Sequence, residues 1–74
     1  MSGLAIINSR DMENIAFKLG YEFHRQKGSH KMYKNADGKL VTIPFHNEDL
    51  GRGLIRKIIN DMGITIEQYD ILRK

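Results

Sequence analysis

Lys27, Ser29 and His30, with Gly28 between them, are the residues of this chain whose types and spacing could do chemistry. An imidazole with an ordinary pKa of about 6.5 both accepts and donates protons near neutrality, so His30 is a candidate general base or acid. Lys27 adds a fixed positive charge. Gly28 permits backbone angles that a side chain forbids. The stretch Gln26-Lys27-Gly28-Ser29-His30 therefore reads as a sharp turn that can bring main-chain N–H groups close to an anion. On residue type alone, a structural turn histidine accounts for His30 as well.

Charge is concentrated at the same place. The formal net charge is +3, divided as −1 over residues 1–24, +4 over 25–39, +1 over 40–60 and −1 over 61–74. Arg25, Lys27, Lys31, Lys34 and Lys39 carry the excess. A basic patch beside a histidine suggests a polyanionic partner, most simply nucleic acid. The competing reading is a solvated hairpin that keeps a small protein in solution. No metal or cofactor is expected. The chain has no cysteine, and its histidines, His24, His30 and His46, are separated by six and sixteen residues, which matches no compact ligand motif. Glu48 and Asp49 lack partners for one.

The elements that must position this turn can be read from hydrophobic periodicity. Ser9 is the expected N-cap of a first helix, with Asp11 and Glu13 in its first turn, where the helix dipole favours negative charge. Met12, Ile15, Ala16 and Leu19 make one apolar stripe that stops at Gly20. Residues 21–27 then alternate, with Tyr21 and Phe23 on one side and Glu22, His24 and Gln26 on the other, as in a half-buried strand. After the turn, His30 to Lys34 reads as a second strand. Asn35-Ala36-Asp37-Gly38 is a turn signal before a third strand over residues 39–45. Pro44 cannot donate to a ladder and belongs at a strand end or on a free edge. Leu54, Ile55, Ile58, Ile59 and Met62 form a second helical stripe ending at Gly63, with Arg56 and Lys57 off the stripe and facing water. Thr65 and Gln68 fit a capping box for a short third helix. The fold class is α+β, in the order α-β-β-β-α with a three-stranded antiparallel sheet, helices on one face and a C-terminal helix. Strand parity leaves the direction of His30 open. If Tyr33 packs under the helices, His30 faces the uncovered side of the sheet; if Met32 does, His30 shares the core side.

At 74 residues the chain is expected to be a single domain with a modest core: lead-in 1–8, core 9–63 and C-terminal helix 64–74. Leu4-Ala5-Ile6-Ile7 is too short for a signal-peptide core or a membrane span. The absence of cysteine suits a reducing compartment. The expected setting is the cytoplasm, with no membrane contact.

The order of several segments resembles the HicA family, the small toxins of HicA–HicB toxin–antitoxin systems. Arg25-Gln26-Lys27-Gly28-Ser29-His30 is similar to the family's R-x-x-G-S-H signature. Lys18-Leu19-Gly20-Tyr21, Val41-Thr42-Ile43-Pro44 followed by His46, and Gly53 with Arg56 and Ile58 support it. Arg52 and Leu54 depart from the pattern, standing where the family commonly has proline and a hydroxyl residue. The resemblance implies a fold similar to the double-stranded-RNA-binding domain and cleavage of messenger RNA. His30 would be the catalytic residue, and a HicB-type antitoxin protein would cover this surface.

A mechanism can be built on these residues. RNA carries its own nucleophile, so cleavage needs the 2′-OH proton removed, the phosphate held in line and the developing charge stabilised. A metal is not required for that chemistry. His30 would take the proton. Lys27 and the Gly28 and Ser29 N–H groups would hold the phosphate oxygens, with Arg25, Lys31, Lys34, His46 and Arg56 contacting RNA. The proton donor to the leaving 5′-oxygen stays open among water, Lys27 and His46. His24 reads as an ordinary solvent-facing residue, and His46 as a loop cap as readily as an RNA contact. Two alternatives of other classes remain: a non-catalytic RNA-binding module, and a basic protein-interaction domain that docks an acidic partner.

Overall fold

A helix and a strand each have one apolar face to hide, and this chain hides three such faces against one another. The computed structural model describes residues 4–74. In chain order these form α1 (Ser9–Lys18), β1 (Glu22–Lys27), β2 (His30–Lys34), β3 (Leu40–Pro44), α2 (Arg52–Met62) and α3 (Ile66–Leu72). The three strands make one antiparallel sheet in the order β1-β2-β3. This is the α+β layout expected from the sequence. Among the described residues no helix is long and apolar enough to cross a membrane.

The core lies between one face of the sheet and the two longer helices. Met12, Ile15 and Ala16 of α1 and Ile55, Ile58, Ile59 and Met62 of α2 close over Tyr33, Val41 and Ile43. Each fully buried aliphatic side chain of this size contributes about 1.5–3 kcal/mol relative to exposure. Leu4, Ile7, Leu50 and Tyr69 are buried in the same cluster. The lead-in thus sends Leu4 and Ile7 into the core without forming a regular strand. Leu50 N–H donates to the Ile7 carbonyl at 2.9 Å, and the Tyr69 hydroxyl donates to the carbonyl of Ala5. The first three residues of the lead-in lie outside the described residues.

Two local expectations need correction. The N-cap of α1 is Asn8, not Ser9: the Asn8 side-chain oxygen accepts from Asp11 N–H at 2.8 Å. Ser9 is instead buried, and its hydroxyl donates to the Pro44 carbonyl at 2.7 Å, pinning α1 to the end of β3. The cap is chosen by which side chain has a free amide in reach, and Ser9 is committed elsewhere. The second correction concerns β1, expected to be half-buried; all six of its residues are exposed. Both α1 and α2 pack on β3 at the far side of the sheet, so β1 extends past their cover. Phe23 leans edge-on against Tyr33, ring centroids 6.2 Å apart, yet stays 53% exposed.

Other local signals are realised. Asn35 Oδ1 accepts from the amides of Asp37 and Lys39 at 3.0 and 2.9 Å, closing the second turn. Pro44 ends β3, which is an edge strand. Despite the departures at Arg52 and Leu54, α2 starts at Arg52 behind Gly51, which offers no side-chain cap. It stops at Gly63 in the left-handed conformation with φ 74°. Thr65 and Gln68 form the reciprocal capping box of α3.

Candidate active site

The hairpin that presents His30 is a two-residue turn, since Lys27 and His30 are cross-strand partners. Gly28 takes φ 58°, while among the described residues no non-glycine residue has positive φ, so the left-handed position falls on the first central residue. That is the pattern of a type II′ turn, whose twist matches the flanking strands. A Cβ on Gly28 would meet nothing within 4 Å, so backbone angle rather than space demands glycine. The carbonyls of the turn are used: Gln26 Nε2 donates to Gly28 O at 2.9 Å, and Phe45 N–H donates to Ser29 O at 2.7 Å. The Gly28 and Ser29 N–H groups have no acceptor among the described residues and remain free for an incoming anion.

Register decides which side chains share a face with His30. Residues directly opposite each other in an antiparallel ladder point the same way. Tyr33 is fully buried, which sends His30, Met32 and Lys34 to the uncovered face, with Leu40, Thr42 and Pro44 opposite them on β3. In β1 the register shifts between Phe23 and Arg25, leaving His24 as a bulge. Phe23 pairs with Tyr33 on the inner face, yet Arg25 pairs with Met32 and Lys27 with His30 on the outer one. Strict alternation would have put Arg25 and Lys27 on the side of Phe23. The bulge re-aims both cations onto the face of the histidine, a recurrent use of this irregularity.

The remaining residues named from the sequence are distributed differently. Lys34 shares the outer face. Lys31 does not. It points to the helix side, 3.6 Å from Glu13 Oε2 and with its ammonium 4.0 Å from the centre of the Phe45 ring. Glu13 also accepts a hydrogen bond from the Tyr33 hydroxyl. Burial, and then the bond to Glu13, push the Tyr33 phenol well above the usual tyrosine range. His46 is exposed in its loop and donates from Nδ1 to the Glu48 carbonyl at 3.1 Å, the loop-capping contact. His24 is exposed at the bulge. Among the described residues no cluster of three or more histidine, aspartate or glutamate side chains could hold a metal ion.

His30 opens on a cleft of about 260 Å³ between β3 and α2, walled by Leu40, Thr42, Pro44 and Leu54 and reached by Lys57 and Asp61. A larger concavity of about 630 Å³, lined by Arg56, Asn60 and residues of the α2–α3 connection, does not include His30; Lys57 borders both. Arg56 therefore stands beside the next hollow rather than in the histidine's own. Lys57 was not among the residues singled out from the sequence. The available signal was a cation next to the apolar stripe of α2, but a stripe does not say which strand its flank will face.

Residues 9–64 match the family described as HicA toxin of bacterial toxin-antitoxin, which covers more than half of the chain. The chain belongs to the HicA toxin family. No curated protein matches it. As a HicA toxin it is the toxin half of a toxin–antitoxin pair and has an antitoxin as partner. The matched range holds the hairpin, the bulge, His30 and the cleft-lining residues of α2. Tyr69 of α3 and Leu4 of the lead-in lie outside that range and still pack into the HicA core.

Proposed function

We propose that this HicA toxin is a metal-independent endoribonuclease that cleaves messenger RNA in the cytoplasm, and that a HicB-type antitoxin restrains it. His30 acts as general base on the ribose 2′-OH. Lys27 and the free amides of Gly28 and Ser29 hold the phosphate oxygens, while Arg25 and Lys34 take neighbouring phosphates. One observation carries this reading: an exposed imidazole stands on the open sheet face beside Lys27 and two turn amides without acceptors, at the mouth of a cleft. A phosphate seated there has a base, a cation and two dipoles converging on it. Lys31 takes no part, since Glu13 and Phe45 hold it on the other face. His46 and Arg56 lie outside the cleft and act, if RNA reaches them, on the flanking backbone.

The test is expression of the intact chain and of His30→Ala, scored for growth arrest and transcript integrity. The intact chain is expected to arrest growth and degrade transcripts; the variant is expected to lose both. In vitro, cleavage is expected to persist in a chelator and to vanish when the scissile ribose is 2′-deoxy. Equal degradation by both proteins, or cleavage of the 2′-deoxy linkage, would sink the proposal.

A further inference from the structure

An RNA cleavage step needs a proton donor for the departing 5′-oxygen as well as a base for the 2′-OH, and His30 can serve only one of them at a time. In-line displacement keeps the attacking and leaving oxygens on opposite sides of phosphorus. The donor therefore has to face the base across the phosphate rather than stand next to it. Lys27 is the direct cross-strand neighbour of His30 and lies on the base's own side. His46 does not line the cleft, and its Nδ1–H is spent on the Glu48 carbonyl. The cation that reaches the cleft from the other element is Lys57.

We propose that Lys57 of α2, held by Asp61, is the group that protonates the leaving 5′-oxygen in the reaction begun by His30. This rests on the nuclease reading of the site. Lys57 Nζ lies 2.9 Å from Asp61 Oδ2, and both side chains line the same cleft as His30. The pair is four residues apart in the order Lys then Asp, the less favourable order for helix stability, and exposed pairs of this kind add little to a fold. Its setting at the cleft gives it a different use. Asp61 limits where a long, rotamer-rich side chain can swing, and leaves two ammonium protons free.

The step balances as follows. The 2′-OH proton passes to the His30 imidazole and the 2′-oxygen forms its bond to phosphorus. The bond from phosphorus to the 5′-oxygen breaks, its electron pair leaves on that oxygen, and the Lys57 ammonium gives it a proton. The products are a 2′,3′-cyclic phosphate and a 5′-hydroxyl. His30 returns its proton to solvent and the Lys57 amine regains one, so the protein is unchanged.

The experiment compares two synthetic RNA oligonucleotides that differ only at the linkage the intact chain cleaves, one with the natural bridging 5′-oxygen and one with sulfur there. A thiolate leaves without help, so loss of the donor should be felt on oxygen alone. Lys57 is 70% exposed at its side chain, so its replacement leaves the core intact. Lys57→Ala is expected to slow the oxygen substrate about 10²-fold or more and the sulfur substrate less than about threefold. Asp61→Asn should show the same oxygen-selective defect, smaller in size, as a positioning residue would. His30→Ala should slow both substrates. If Lys57→Ala slows both equally or neither, the role of Lys57 is overturned while that of His30 stands. If His30→Ala cleaves as well as the intact chain, or the intact chain cleaves neither RNA, the nuclease reading itself fails and takes this inference with it.

Discussion

Lys27 and Lys31 flank the same hairpin, yet one stands in solvent beside His30 while the other lies across the sheet between Glu13 and the Phe45 ring. The two faces treat polar groups in opposite ways. On the inner face polar groups beside the core are tied: Lys31 to Glu13, Tyr33 to Glu13, Ser9 to the Pro44 carbonyl. On the outer face Lys27 and Lys34 have no carboxylate partner among the described residues. A charge beside a packed core must be matched because desolvation is otherwise too costly. A charge in water can stay unmatched until a phosphate arrives. Tied groups hold the fold, and free ones are available to a ligand.

The contrast predicts which substitutions hurt stability and which hurt binding. The largest expected effect is on the inner face, where Tyr33→Ala removes a fully buried aromatic and should cost about 3–5 kcal/mol in denaturant unfolding. His30→Ala in the same strand should leave the unfolding midpoint almost unchanged. Equal losses for the two would erase the distinction between the faces.

Next in size is an alkaline effect. Folding raises the Tyr33 phenol above its unfolded value near 10, so the folded state favours the protonated form. The stability linked to it is complete below about pH 10 and is lost as pH rises beyond that point. Tyr21 and Tyr69 are raised by burial too, so they add in the same direction. Denaturant midpoints measured across pH 9–11 should fall, and Tyr33→Phe should fall less steeply. A midpoint that rises over this range would contradict the buried setting of the phenol.

A smaller difference separates the two lysines. Binding of uncleavable 2′-deoxy oligonucleotide should weaken with salt, and Lys27→Ala should reduce the log–log slope by about 0.7 per lost phosphate contact. Lys31→Ala should leave the slope alone and lower thermal stability slightly. The reverse pattern would place RNA on the helix side.

The smallest effect concerns the bulge. Deleting His24 joins Phe23 to Arg25 while keeping their partners Tyr33 and Met32, so Arg25 and Lys27 stay with His30. Oligonucleotide affinity should change by no more than about 0.5 kcal/mol, as for a surface substitution. A large loss would mean that His24 itself touches the ligand.

Much of this was legible beforehand, and the exceptions have specific causes. Both long helices, the capping box at Thr65, the turn at Gly28 and the end of β3 at Pro44 follow from interactions between residues a few positions apart. The cap of α1 moved from Ser9 to Asn8 because a residue 35 positions away claimed the Ser9 hydroxyl. Burial of β1 was overestimated because alternation records a preference for two environments, while helix placement determines whether the second exists. Lys31 is the plainest case. It reads as an RNA-contacting cation of the basic patch, and α1, distant in the chain, supplies the Glu13 that holds it on the other face.

Periodicity, turn chemistry and the ordered HicA segments determined from sequence alone the order of elements and the antiparallel hairpin that ends on His30. These are short-range properties, set by backbone angles and by which side chains recur on one face. Three things were left to the tertiary structure: that His30 faces outward, that a bulge carries Arg25 and Lys27 to join it, and that α2 delivers Lys57 to the same cleft. Each depends on register and on helix placement over β3. A strand's two faces are interchangeable until packing against something else makes one of them the inside.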